Sequence, residues 1–388
     1  MKRIFLIVLD SLGIGAAPDA DKFGDSGADT LRSVYSSGEV NIPNLISLGL
    51  GNVEGVDYLG GGESLGAVCR LRELSAGKDT TSGHWEMAGI VSETPMPTYK
   101  DGFPPELVKE FEARIGVGTL CGLPYSGTAV IKDYGSEHIK TKKPIIYTSQ
   151  DSVFQIACHE DTVPVERLYE YCRIAREMLV GENAVGRVIA RPFTGDEING
   201  FTRTSRRRDF SLVPDERNML ASIGNAGLEV IGIGKIGDIF AGKHLTESYP
   251  THSNAEGMDA CLSIMDRDFF GLCFLNLVDF DMLYGHRNDR HGYAMALNEF
   301  DGWLTKALPK LRADDVIMIT ADHGCDPGDS STDHTREYTP LIIYGNGIRS
   351  VNLGTVSGFC AIGKTVCSLL GVKPSFAPGE DLSDKILI

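Results

Sequence analysis

Five short, predominantly apolar runs punctuate the chain: Ile4 to Leu9, Leu228 to Ile233, Leu272 to Val278, Val316 to Ile319 and Leu341 to Tyr344. Runs of this length, rich in branched residues and without polar alternation, predict strands covered on both faces, as in a parallel sheet. Between and after them the apolar period changes. Ala294, Leu297, Phe300, Leu304, Leu308 and Leu311 recur near helical spacing, which predicts a packed helix over 291–311. Shorter helices are expected at Asn44 to Leu50, at GHWEMAG (83–89) and at Ile362 to Leu370. Strands alternating with helices predict an α/β sheet, whose sites form beyond the carboxyl ends of the strands.

From Met96 to Val213 the pattern is different. Proline-rich TPMPTYKDGFPPE opens it, and short segments of both kinds follow. Glu106 to Arg114 and Val165 to Leu179 predict helices. Thr128 to Ile131, Ile145 to Tyr147, Val153 to Ala157 and Arg187 to Arg191 predict strands. We read this segment as an inserted α+β cap. A chain of 388 residues is long enough for a large core plus such an insertion.

The ends of the apolar runs carry the chemistry. Asp10 follows Leu9; Asp279 and Asp281 follow Val278, with His286 soon after; Asp322 and His323 follow Ile319. Asp333 and His334 repeat the last pair eleven residues on. One Asp-His pair is ordinarily just solvated, and a lone Asp after a strand is ordinarily a turn residue. Carboxylates and imidazoles at the same end of three strands instead form a donor set suited to divalent transition metals. Six such ligands divide into two sites of three. Paired ions roughly 3.5–4 Å apart stabilise the entering and leaving oxygens of phosphoryl transfer. Lys78 to Glu86 (KDTTSGHWE) places three hydroxyl residues before a helix, where a positive dipole end and free N–H groups favour a phosphorylated nucleophile. Arg187, Arg191 and Arg203 lie in apolar settings, where a guanidinium fork suits a bound phosphate; Arg206 to Arg208 reads as a solvated run. Gly232, Gly234 and Gly237 formally match a dinucleotide fingerprint, but no long helix and no ribose-binding acid follow. Lys235 is the better candidate there, as a phosphate contact.

Composition excludes some partners. The net charge of −16 argues against general binding to nucleic acid or anionic membrane. Nine dispersed cysteines without a C-x-x-C motif suggest reduced thiols and a cytoplasmic location. The opening apolar run, six residues before Asp10, is too short for a signal peptide. We expect small-molecule ligands and no obligate protein partner. The residues alone thus define a two-metal enzyme of phosphoryl or sulfuryl transfer.

The motifs LDSLGIG, GKDTTSGHWE, LVDFDMLYGH, TADHG and TDHTREYTP, with TSQDSVFQIACHE, GRVIARPF and FTRT in the insertion, extend along the whole chain. Together they resemble the bacterial phosphopentomutase family of the alkaline phosphatase superfamily. The resemblance implies an alkaline-phosphatase-like α/β core, its central, mostly parallel sheet sandwiched by helices. That core would be built from residues 1–95 and 214–388, with a cap from 96–213. It implies two manganese ions, one held by Asp10, Asp322 and His323 with Thr80, the other by Asp281, His286 and His334. Thr80 matches the phosphorylated nucleophile, with Thr81 beside it. Asp151 matches an acidic cap residue near the sugar, and Arg187, Arg203 and Lys235 match contacts to substrate phosphate. The implied reaction interconverts ribose 1-phosphate and ribose 5-phosphate, and the 2-deoxyribose pair, through a bisphosphate. Glucose 1,6-bisphosphate or ribose 1,5-bisphosphate would prime the threonine. The rival expectations are a cofactor-independent phosphoglycerate mutase, a metal-dependent phosphatase and a non-catalytic metal-binding scaffold.

Overall fold

The structure, a computed structural model, describes residues 1–149 and 152–388. The chain divides into two compact units, one made of Met1–Thr94 with Pro214–Ile388, the other of Pro95–Val213.

The first unit is built on an eight-stranded sheet. Its order is Glu247–Tyr249, Glu229–Ile233, Gly271–Leu277, Arg3–Leu9, Asp315–Thr320, Thr339–Tyr344, Ala67–Arg72 and Val351–Ser357. The first five strands run parallel; Thr339–Tyr344 is antiparallel to both its neighbours. Every residue of Arg3–Leu9, Gly271–Leu277 and Asp315–Thr320 is buried, as runs without polar alternation require. On one face Phe5, Ile7 and Leu9 share a core with Leu297, Phe300 and Leu304 of helix Arg290–Ala307. That helix delivers the periodicity seen in the sequence. Helices Thr80–Met87, Cys360–Leu369 and Met219–Asn225 pack together in the same unit.

Register places the site. Leu9 pairs with Leu277, and Val8 pairs with Thr320. The chain therefore leaves all three central strands at one level, with Asp10 and Asp322 each two residues beyond the paired Val8 and Thr320. A one-residue slip would have turned these carboxylates to the opposite side of the sheet.

The second unit has a six-stranded sheet, ordered Leu120–Pro124, Ile145–Thr148, Val153–His159, Arg187–Asp196 and Gly200–Arg203, with Arg208–Ser211 also paired to Arg187–Asp196. Helices Pro105–Ile115 and Val165–Met178 bury Phe111, Leu168 and Cys172 with Phe154 and Ile156. Thr128 to Ile131 is not a strand. It belongs to helix Gly127–Thr141, which buries Val130, Ile131, Gly135 and His138 at helical spacing. The branched pair Val130–Ile131 favoured a strand locally, and burial along one helical face overrode it. Among the described residues no helix is long and apolar enough to cross a membrane.

Candidate functional site

Each central strand ends in an abrupt change of direction. After Leu9 the chain passes through Ser11 at φ 85°, and the Ser11 N–H donates to Asp322 Oδ1 (3.2 Å). After Leu277 it forms a single π-helical turn, Phe280–Tyr284, of the kind that recurs at functional sites. That turn carries Asp281, and the following turn carries His286. Asp10, Asp322 and His323 are buried, and Asp281 is only 5% exposed.

The side chains converge. His286 Nε2 lies 3.2 Å from Asp281 Oδ2, and His334 Nε2 lies 3.3 Å from Asp281 Oδ1. His323 Nε2 lies 3.3 Å from Asp10 Oδ1 and 3.4 Å from Asp322 Oδ2. The imidazoles of His323 and His334 stack at 3.9 Å, and those of His334 and His286 at 4.8 Å. His286 Nδ1 meets Thr332 O (2.6 Å) and His323 Nδ1 meets Gly324 O (3.1 Å). A carbonyl only accepts, so both Nδ1 atoms carry hydrogen and both Nε2 atoms face the cluster, the orientation of metal-binding histidines.

Two triads of ligand atoms lie within 4.8 Å: Asp281, His286 and His334; and Asp10, Asp281 and His323. Asp281 thus belongs to both, and Asp322 adjoins the second through His323. Asp10 Oδ1, Asp281 Oδ1 and His334 Nε2 are buried and make no hydrogen bond, and Asp322 Oδ2 has His84 Nδ1 beside it at 3.1 Å. Buried polar atoms without partners are costly, and three aimed at one space fit a divalent cation.

Charge explains the protonation pattern. Burial pushes the Asp281 carboxyl up, but the neighbouring His334 charge and the His286 contact outweigh it and hold the group well below the carboxylate range. Burial opposes a charged His323, yet Asp322 and Asp10 raise it well above the usual imidazole value. His286 is pushed up to about 11 by its hydrogen bond to Asp281, with the Cys325 thiol contact adding to it and burial opposing. The raised His286 value stabilises the metal-free fold fully below the unfolded imidazole value near ~6.5, and that contribution is lost as pH rises toward 11. The depressed Asp281 value works in the opposite sense, its contribution being lost only in acid. The urea midpoint of the metal-free protein is expected to fall from about pH 6.5 upward, and to fall less with metal bound; a flat profile would contradict the Asp281–His286 pairing.

Thr80 opens helix Thr80–Met87. Asp79 caps it, accepting from Thr81 N (3.0 Å) and Ser82 N (3.2 Å). Of the two adjacent threonines, it is Thr80 whose hydroxyl meets His323, at 3.1 Å from Nε2. The helix approaches closely because residue 83 is glycine: a Cβ there would stand 2.2 Å from the Asp322 carbonyl oxygen.

Three supporting residues escaped the sequence reading. Asn276 and His84 contact the candidate ligands Asp10 and Asp322, and Arg336 clamps the loop before Thr80. Arg336 is 2% exposed; it donates to Glu73 Oε2 (2.5 Å), Ser75 O (2.8 Å) and Gly77 O (2.7 Å), and pairs with Asp19 (3.2 Å). The sequence signals were an asparagine inside an apolar run and an arginine two places after His334. Arg336→Ala would strand the buried Glu73 carboxylate and is expected to cost about 3–5 kcal/mol by chemical denaturation.

The remaining candidates are spread over both units. Lys235 follows Gly234 (φ 77°) at the end of strand Glu229–Ile233 in the first unit. In the second, Arg187 lies 3.7 Å from Asp209, and Arg203 Nε donates to Gly127 O (3.3 Å). Arg206 pairs with Glu160, Arg207 with Asp209 (2.8 Å), and Arg208 lies over the rings of Tyr169 and Phe210. Asp151 lies outside the described residues.

An α/β sheet whose strand ends gather three aspartates and three histidines beside a threonine that opens a helix defines a metal-dependent enzyme, and residues 2–374 match the family model described as the metalloenzyme superfamily. One solved structure, the PH0037 protein of Pyrococcus horikoshii, aligns with 97% of this chain and 99% of its own at TM-score 0.50 and 14% identity, which shows the common fold. The chain is 53% identical to the phosphopentomutase of Acetivibrio thermocellus and 52% identical to that of Lachnoclostridium phytofermentans, in each case over 390 residues and the full length of both proteins. It belongs to the phosphopentomutase family of that superfamily.

Proposed function

We propose that the chain interconverts α-D-ribose 1-phosphate and D-ribose 5-phosphate, and the 2-deoxyribose pair, with Thr80 as the residue that carries the phosphoryl group. The observation that carries this reading is the Thr80 hydroxyl at 3.1 Å from His323 Nε2, beside buried ligand atoms that have no other partner. Asp10, Asp281, His286, Asp322, His323 and His334 would hold two manganese ions, which as Lewis acids would lower the pKa of the threonine hydroxyl and offset phosphoryl charge.

Phospho-Thr80 gives its phosphoryl group to the free hydroxyl of the pentose phosphate. The P–O bond to Thr80 Oγ1 breaks, a P–O bond to the sugar forms, and the proton of the sugar hydroxyl ends on the departing Thr80 Oγ1. The bisphosphate then returns its other phosphoryl group to Thr80, so the enzyme ends as it began. A bisphosphorylated sugar, glucose 1,6-bisphosphate or ribose 1,5-bisphosphate, primes the first cycle. Arg187, Arg203, Lys235 and Asp151 contact the substrate in this reading. The second unit supports a phosphate contact at Arg203: its guanidinium lies against Gly127 at the start of helix Gly127–Thr141, next to the buried Tyr147 hydroxyl, which makes no hydrogen bond. A helix N-terminus with a guanidinium and an unpartnered hydroxyl suits a phosphate. The unpaired cysteines accord with a cytoplasmic enzyme.

The test is phosphorus NMR of the manganese-loaded protein with ribose 1-phosphate and a trace of glucose 1,6-bisphosphate. Ribose 5-phosphate is the expected product. Inorganic phosphate in its place would make the protein a phosphatase, and conversion only of three-carbon phosphoglycerates would make it the sister mutase.

A further inference from the structure

Asn276 interrupts strand Gly271–Leu277, whose other residues are apolar, and it is 1% exposed. Its Nδ2 lies 3.0 Å from Asp10 Oδ2 and 3.2 Å from His84 Nε2. A carboxylate oxygen accepts, so the amide nitrogen, not the amide oxygen, faces Asp10. The second amide hydrogen then points to His84, whose Nε2 must accept it. That places the imidazole hydrogen of His84 on Nδ1. Nδ1 lies 2.8 Å from Thr80 O and 3.1 Å from Asp322 Oδ2. The ring is fully buried and stacks on Phe274 at 5.7 Å, so it has little freedom to turn.

We infer that His84 is a positioning residue for phosphoryl transfer: through Nδ1–H it ties the main chain of Thr80 to the carboxylate of Asp322. Asn276 sets the tautomer and, by occupying Asp10 Oδ2, leaves Asp10 Oδ1 facing His323. One buried chain of hydrogen bonds thereby fixes the acceptor hydroxyl and two candidate ligand carboxylates against each other. The geometry leaves His84 without access to substrate, since it is enclosed between the strand and its own helix. This inference rests on the reading of Thr80 as the phosphorylated residue.

Two near-isosteric substitutions separate positioning from packing. In His84→Asn the amide nitrogen can take the place of Nδ1, keeping the donor to Thr80 and Asp322. In His84→Gln the amide reaches the place of Nε2 and the Nδ1 donor is gone. The experiment titrates manganese into each metal-stripped variant by EPR, and times Thr80 phosphorylation by glucose 1,6-bisphosphate using intact-protein mass spectrometry. Losing an outer hydrogen bond to a metal ligand typically weakens affinity about 10–100-fold, and that loss, with slowed phosphorylation, is expected for His84→Gln. His84→Asn is expected to stay within about threefold of the parent. Urea midpoints of both metal-free variants accompany these data, because each loses one buried hydrogen bond and a packing role would affect both alike. Equal losses in the two variants, or full affinity in His84→Gln, would overturn the inference. Absence of phosphate on Thr80 in the parent protein would instead overturn the proposed reaction, and the manganese titration would still decide the His84–Asp322 link.

Discussion

Thr80→Ala is expected to lower mutase turnover by about 10⁴-fold or more, the scale seen when the group that forms a covalent intermediate is removed. Thr80 is the first residue of its helix, so its hydroxyl stands where the N–H dipoles converge and where an added phosphoryl group is favoured. Its Oγ1 is 3.1 Å from His323 Nε2, and its backbone is fixed by the Asp79 cap on one side and by the Arg336 clamp on Ser75 and Gly77 on the other. Thr81→Ala removes an adjacent hydroxyl that the structure does not bring to His323, and is expected to keep most of the activity. Thr80→Ser keeps the nucleophile but frees its χ1, so a partial loss of about tenfold is expected. The half-buried site makes Thr80→Ala nearly neutral for folding, within about 1 kcal/mol. Phosphorus NMR of product formation, with mass spectrometry of the intact protein, checks all three variants. Undiminished product from Thr80→Ala would remove this residue from the mechanism.

Much of this centre was legible because its chemistry sits at the ends of elements the sequence announces plainly. Asp10, Asp281 and Asp322 each follow a predominantly apolar run, and a buried parallel strand is the one element such a run builds well. Among the strands that escaped, Val351–Ser357 lies at the sheet edge and Ala67–Arg72 is the strand beside it; both are only partly buried, so their patterns are diluted by Arg70, Arg72 and Gly354. Helix Gly127–Thr141 was misread for the converse reason, since a branched dipeptide outweighed a periodicity that becomes visible only over three turns. The division of ligands is a property of tertiary structure. Spacing groups Asp322 with His323, whereas the fold also brings Asp281, from another strand end, within reach of His323 and His334. His84, Asn276 and Arg336 carry no motif of their own. Their meaning lies in what they touch, and each touches a residue more than 190 positions away in the chain.

Asp281 should be the least replaceable of the candidate ligand carboxylates. Its two oxygens face different imidazoles, Oδ2 toward His286 and Oδ1 toward His334, and it is the only residue common to both triads among the described residues. Asp281→Asn preserves volume and removes the charge, so the surrounding packing is retained. The variant is expected to lose manganese affinity at both sites, by about 100-fold or more, and mutase activity by about 10³-fold. Asp10→Asn and His286→Ala each belong to one triad and are expected to leave one ion bound. In the metal-free Asp281→Asn protein His286 loses the partner that raises it to about 11, and its imidazole is expected to titrate near ~6.5 by proton NMR. The two readouts are independent, because the titration requires no metal and the metal count requires no proton. A variant that kept one ion at parental affinity would show that Asp281 serves a single site, and would return Asp322 to the place beside Asp10 and His323 that the family resemblance implies.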